Sequence, residues 1–98
     1  VAASKGALEG LGKSLAAELA PNTRVNVIAP SITNTPLADR FLNNETKLEK
    51  SAQRHPLKRV GKAEDVASMT RFLLSDESSW MTGQIIGLDG GMSSLNTH

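Results

Sequence analysis

Along the first twenty residues, VAASKGALEGLGKSLAAELA, Leu8, Leu11, Leu15 and Leu19 recur three or four positions apart. That interval draws one apolar stripe on a helix predicted over 1–20. Alanines at 7, 16, 17 and 20 support it, whereas Gly6, Gly10 and Gly12 each cost about 1 kcal/mol relative to Ala. Small residues kept at that cost usually let another backbone come close, and Pro21 with Asn22 ends the helix. The period then changes. RVNVIAP is β-branched and apolar up to Pro30, which predicts a strand over 24–29.

Residues 30–36, PSITNTP, hold two prolines and a cluster of hydroxyls, a shaped loop. Over 37–54 the chain is charged, and Leu37, Phe41, Leu42 and Leu48 give only a thin apolar stripe, so one or two mobile helices are expected. HPLKRVG reads as a turn. A helix follows over 63–75, with Glu64 and Asp65 at the positive end of its dipole and Val66, Met69, Phe72 and Leu73 as its buried face. DESSWMTG is a further turn, QIIGLDG carries a short strand over 84–88, and the tail past Gly91 reads as loose.

The order is therefore helix, strand, loop with helices, helix, strand. Two strands joined by a helical crossover form a βαβ unit, which is parallel and right-handed. Parallel strands need helices on both faces, and two strands are too few to stand alone. The expected fold class is α/β: one domain over 1–98, the C-terminal part of a doubly wound parallel sheet of Rossmann type. Composition narrows the function. With 98 residues and a net charge of +1, nothing favours nucleic acid or a membrane surface as partner. No apolar run approaches the roughly 20 residues of a membrane span. The absence of Cys removes disulfides and thiolate metal sites and says nothing more of compartment; with no span and no signal-peptide pattern in the first stretch, a cytoplasmic location is expected, and no metal centre.

Four stretches, VAASKGAL, RVNVIAPSITNTP, HPLKRVGKAEDVA and FLLSDESSWMTGQIIGLDGG, stand in the order and spacing of the back half of a short-chain dehydrogenase/reductase. The chain resembles that family up to about Gly91. The resemblance implies an oxidoreductase that uses NAD or NADP on a small-molecule carbonyl or alcohol. It places Lys5 on the family's lysine, which binds the nicotinamide ribose hydroxyls and lowers the pKa of a tyrosine four positions earlier through its charge. That tyrosine position falls on Val1, and the chain contains no Tyr. Valine can neither give nor take a proton. Three readings stay open: a family member that binds without catalysis or uses another acid, a residue altered in this chain, or proton relay by water. The alternative function is accordingly a catalytically impaired cofactor-binding or scaffold protein, and the 98 residues alone are expected to be inactive. A plain assembly module without ligand is a third reading.

The resemblance also assigns 30–36 to holding the nicotinamide carboxamide. Pro30 and Thr35 match the family, Ser31 stands where it has glycine, and Thr33 stands at its usual Ile or Val. Backbone groups at Thr33 and the Thr35 hydroxyl supply the donor and acceptor a carboxamide needs. The lid over substrate corresponds to 37–54. Other polar residues read as structural. Ser4 is helix packing, since the family's catalytic serine lies upstream, and His55 is a surface residue beside Pro56. His98 belongs to the tail. Glu64 and Asp65 point about 100° apart, which suits a helix start better than a paired site. Trp80 is expected to plug the end of the sheet and Asp89 to end a strand in a turn. The glycine-rich nucleotide turn of such folds does not occur in these residues. An unpaired edge at 24–29 and an uncovered leucine face predict a homo-oligomer.

Overall fold

Helix α1 (Ala2–Leu19) of the computed structural model, which describes residues 2–31, 33–34 and 45–95, meets the sheet through its smallest residues. Ala16 is 5% exposed and Gly12 is buried. A Cβ added to Gly12 would lie 2.5 Å from Cγ2 of Val27, so helix and strand touch where only glycine fits. Gly6 and Gly10 meet nothing within 4 Å and carry no such constraint. The leucine stripe is centred roughly 75° around the helix from this contact at 3.6 residues per turn. Leu8 and Leu11 are 62% and 55% exposed, and Leu15 and Leu19 are partly exposed. Periodicity finds the apolar stripe, but the face buried within this chain is the one that lets backbones approach most closely.

Strand β1 (Val27–Pro30) pairs in parallel with β4 (Ile85–Leu88), with Val27 opposite Ile85 and Pro30 opposite Leu88. The strand expected over 24–29 starts later because its first residues are held by the stretch that leads into β4. Thr82 Oγ1 accepts from the Val25 N–H at 3.1 Å, the Gly83 N–H donates to the Val25 carbonyl at 2.7 Å, and the Asn26 side chain bridges Met81 and Gln84. A second pair, β2 (Thr33–Asn34) with β3 (Gly61–Lys62), is also parallel. Between them runs helix α2 (Glu45–Gln53), and α3 (Ala63–Leu74) follows β3 directly.

The start of α3 is secured by Asp65. Its carboxylate accepts the Lys62 N–H at 2.7 Å, which satisfies one of the helix's orphan donors. Lys62 offers only an ammonium and cannot return the bond, so the box is half made. Val66, Met69, Phe72 and Leu73 are half-buried rather than buried, while Leu74 is exposed. At the other end of α3 Arg24 collects the freed carbonyls. Its guanidinium donates to Leu73 O at 3.1 Å, Ser75 O at 3.3 Å, Ser78 O at 2.8 Å and Met81 O at 3.3 Å, and to the Ser78 hydroxyl at 3.0 Å. A cation at a helix C-terminus also meets the negative end of the dipole.

The 3₁₀ turn after α3 (Asp76–Ser78) corrects the expectation for Trp80. Ser78 is the residue turned inward, 1% exposed and bonded to Arg24 and Leu73, and two positions later Trp80 is 98% exposed. The tail is likewise not loose up to Leu95. The Met92 N–H donates to Asp89 O and the Leu95 N–H to Gly91 O, which folds 89–95 into successive turns. Among the described residues no helix is long and apolar enough to cross a membrane, and no group of three or more metal-capable side chains occurs.

Replacing Gly12 by Ala adds helix propensity of about 1 kcal/mol but drives a methyl into stiff, β-branched Val27, at about 1–3 kcal/mol. Gly12→Ala is therefore expected to lower the melting temperature and Gly10→Ala to raise it, each 1 kcal/mol moving it by about 4–8 °C. Thermal melts of the two variants check the ordering.

Candidate functional site

Parallel pairing brings the carboxyl ends of β1 and β4 side by side, which is where ligands bind in open α/β sheets. Immediately after β1 the Ser31 N–H donates to Leu88 O at 3.1 Å, so the loop leaves the sheet beside the end of β4. β2 then pairs with β3 through Thr33 opposite Gly61. In a two-stranded pair each strand has one further edge, and that of β2 is unpaired among the described residues. Its backbone carries both N–H and C=O groups, the two kinds that a carboxamide needs. The donor set around 31–34 thus fits a nicotinamide carboxamide. Of the residues assigned to this role, Pro30, Ser31 and Thr33 are brought together here, while Thr35 lies outside the described residues, as do Val1 and His98.

The backbone of Lys5 belongs to the same edge. Ala16 lies beside Gly83, which bonds Val25 ahead of β1, and Gly12 lies on Val27, so α1 runs antiparallel to β1. From Gly12 back to Lys5 is seven residues, about 10 Å of helix. From Val27 on to Pro30 is three residues, about 10 Å of strand. Lys5 therefore comes level with Pro30 at the carboxyl edge of the sheet. Of the expected lid, α2 is the described part, and the residues before Glu45 lie outside it.

His55 is not at the surface. It is 1% exposed, among the most buried side chains described. Three contacts put it there. Gly90, at φ +59, lies so close that a Cβ would meet the His55 Cβ at 3.4 Å, and the Leu57 N–H donates to Gly90 O at 3.0 Å. His55 Nδ1 lies 2.7 Å from the Ser51 carbonyl, which can only accept, so Nδ1 carries the proton. With the proton on Nδ1, Nε2 is the acceptor side of the ring, and it faces the Ser31 hydroxyl at 3.0 Å. Met92 Sδ, at 3.8 Å, is the weaker alternative acceptor for that hydroxyl. With both nitrogens engaged inside the chain, His55 presents no free N–H to a substrate. Nothing in the apolar pattern marks it. The one local signal is its place four residues after Ser51, where it caps the C-terminal turn of α2.

Around this bond lies a cavity of about 410 Å³ bounded by Ser31, His55, Arg59, Asp65 and the 87–91 segment, within the size range of small-molecule sites. Arg59 and Asp65 form a two-pronged ion pair on its wall, at 2.8 and 3.1 Å. The Arg59 guanidinium, together with the Lys62 N–H, lowers the Asp65 carboxyl from 3.8 to about 2. Glu64 is also held low, by Arg71 and Ser68 on the outer face of α3. At the turn after β4, Asp89 accepts the Gly91 N–H at 2.9 Å and the Ser93 hydroxyl, as expected of a strand-ending turn. Gly91, at φ +89, leaves no room for a Cβ, which would lie 2.9 Å from Leu95 Cδ1 and 3.2 Å from Pro56 Cγ.

Known proteins share this fold and sequence. Residues 1–93 match the family described as enoyl-(acyl carrier protein) reductase. The 3-oxoacyl-[acyl-carrier-protein] reductase FabG of Thermotoga maritima is 48% identical over 92 residues, covering 93% of this chain and 37% of that protein. Tropinone reductase-like 3 of Erythroxylum coca is 43% identical, covering 93% of this chain and 35% of its own. Among solved structures, the aldohexose dehydrogenase of Thermoplasma acidophilum superimposes with a TM-score of 0.87 at 38% identity, over 94% of this chain and 44% of that one. A 4-hydroxyisoleucine dehydrogenase complexed with NADH does so with a TM-score of 0.87 at 33% identity, over 96% and 39%. The chain thus spans between about a third and somewhat under half of the length of these relatives.

The low pKa of Asp65 means that its ion pair stabilises the fold above pH 3.8 and that this contribution is lost as pH falls towards 2. Asp65→Asn is therefore expected to flatten the decline in melting temperature over that window. Glu64 titrates in the same direction, so some slope remains. Melts across the window in the wild type and variant give the comparison.

Proposed function

Since the chain belongs to the enoyl-(acyl carrier protein) reductase family of short-chain dehydrogenases/reductases, we propose that it is part of a nicotinamide-dependent oxidoreductase that interconverts a carbonyl and an alcohol on a small molecule. What supports this reading is the shared carboxyl edge of two parallel strands, from which the chain through Pro30 and Thr33 leaves and with which the Lys5 backbone comes level by helix rise. NAD or NADP, when bound, supplies or accepts the hydride. The residues of this chain hold and orient. Lys5 lies level with the loop that presents backbone donors and acceptors to the carboxamide, and its ammonium suits the ribose hydroxyls. Pro30 fixes the exit from β1, and Ser31 ties the loop to β4 through its N–H. Helix α2 belongs to the segment that the resemblance assigns to the substrate lid. The matched proteins are named for different substrates, so reductase or dehydrogenase chemistry carries over and the substrate does not.

A proton must reach the carbonyl oxygen as hydride adds to carbon, and Val1 cannot supply it. That chemistry favours a second reading, a cofactor-binding or scaffold protein with impaired catalysis. Leu8 and Leu11, with the strand edges unpaired among the described residues, favour a homo-oligomeric assembly under either reading.

Dinucleotide binding and oxidation of NADH or NADPH against a panel of aldehydes and ketones test the proposal on the full-length protein. The first reading expects binding with turnover, and under either reading Lys5→Met should weaken dinucleotide binding about tenfold, the scale of a lost charge-assisted hydrogen bond to the ribose. Binding without turnover, with activity appearing in Val1→Tyr, would select the second reading. Failure to bind either dinucleotide would refute both.

A further inference from the structure

The Ser31–His55 bond joins two segments that the chain keeps 24 residues apart. On one side is the loop after β1. On the other is the last turn of α2, whose Ser51 carbonyl, in a buried residue, takes the His55 Nδ1 proton. The ring is backed by Gly90, where even an added Cβ would lie 3.4 Å from the His55 Cβ and 3.6 Å from Cδ2. One rigid side chain therefore bridges the loop and the helix, with a hydrogen bond at each end. Hydrophobic packing would have served for stability alone. A buried imidazole with both nitrogens matched fixes direction as well as distance.

We propose that His55 is a positioning residue: it sets the backbone of the 31–34 loop for the nicotinamide carboxamide and couples that loop to the lid helix α2. The proposal rests on the reading of 31–34 as the carboxamide loop. Ser31 replaces a residue without a side chain in the family pattern, and its hydroxyl is what makes the link possible. The loop is then held at three points: the Ser31 N–H on Leu88, the Ser31 hydroxyl on His55, and Thr33–Asn34 along Gly61–Lys62. Two of the three are supplied by the chain between α2 and α3, so a displacement of α2 reaches the carboxamide site through His55.

Two substitutions separate positioning from packing, because each keeps one end of the ring. An asparagine amide ends where Nδ1 is and retains the Ser51 contact, whereas a glutamine amide extends to where Nε2 is and retains Ser31. In the full-length protein, His55→Asn is expected to raise the dinucleotide's Kd, and with it KM wherever turnover occurs, about tenfold with kcat within about twofold, the effect of losing one ordinary hydrogen bond from ground-state binding. His55→Gln should restore KM to within about threefold of the wild type, at the level expected for a bond kept with poorer geometry. Ser31→Ala should reproduce the His55→Asn effect, and the double variant should be no worse than either single one. Equal KM in the Asn and Gln variants, or changes that only follow melting temperature, would overturn the proposal while leaving the cofactor reading intact. A wild-type protein that binds neither NADH nor NADPH would overturn the reading itself and this proposal with it.

Discussion

Everything at the candidate site depends on β1 and β4 being parallel. Strands that run the same way must be joined by a crossover, and the crossover here contains the loop, α2, β3 and α3. The same constraint brings both carboxyl ends to one edge. Ser31 and Leu88 become neighbours there, and the Asp89–Gly91 turn receives the Leu57 N–H from the returning chain. An antiparallel pair would have put these segments at opposite ends of the sheet. The cavity is the space that the parallel arrangement leaves between one strand's exit, the other's exit and the crossover.

Close packing then fixes how α1 lies on this pair. A helix can approach a strand to the distance seen at Gly12 only through residues with little or no side chain. Ala16, one turn on, meets the same need beside Gly83. Direction follows from those two contacts, and with it the level at which Lys5 stands. The glycine that looks like a flaw in a helix is the point from which the lysine's height is measured.

Local pattern is legible in this sequence where local physics decides. Leucine spacing marks α1, the β-branched run marks β1, and carboxylates at 64 and 65 mark the start of α3. The back-half motifs identify the fold class before any coordinate is known. What is not legible comes from partners far along the chain. His55 reads as exposed because its neighbours are polar, yet its burial is made by Gly90 and Ser31. Trp80 is expected as a plug because the family resemblance places an aromatic there, yet the inward position has gone to Ser78, bonded by Arg24 across 54 residues. The leucine stripe is legible as a face left uncovered, and it is exposed; what periodicity does not mark is the small-residue face at Gly12 and Ala16 that meets the sheet.

Arg24 leaves a last consequence. Its partners are one hydroxyl and four carbonyl dipoles, with no carboxylate among those bonds. Dissolved ions screen exposed charge pairs such as Arg71 with Glu64, and do little to short, partly enclosed bonds between a guanidinium and carbonyl groups. Rising ionic strength therefore loosens the outer face of α3 before it loosens the end of that helix held by Arg24. A lysine there has three donors from one nitrogen and no planar fork, and cannot span carbonyls from Leu73 to Met81. The hinge between α3 and the sheet is thus tuned to geometry rather than to charge, and keeps its grip in brine as in dilute buffer.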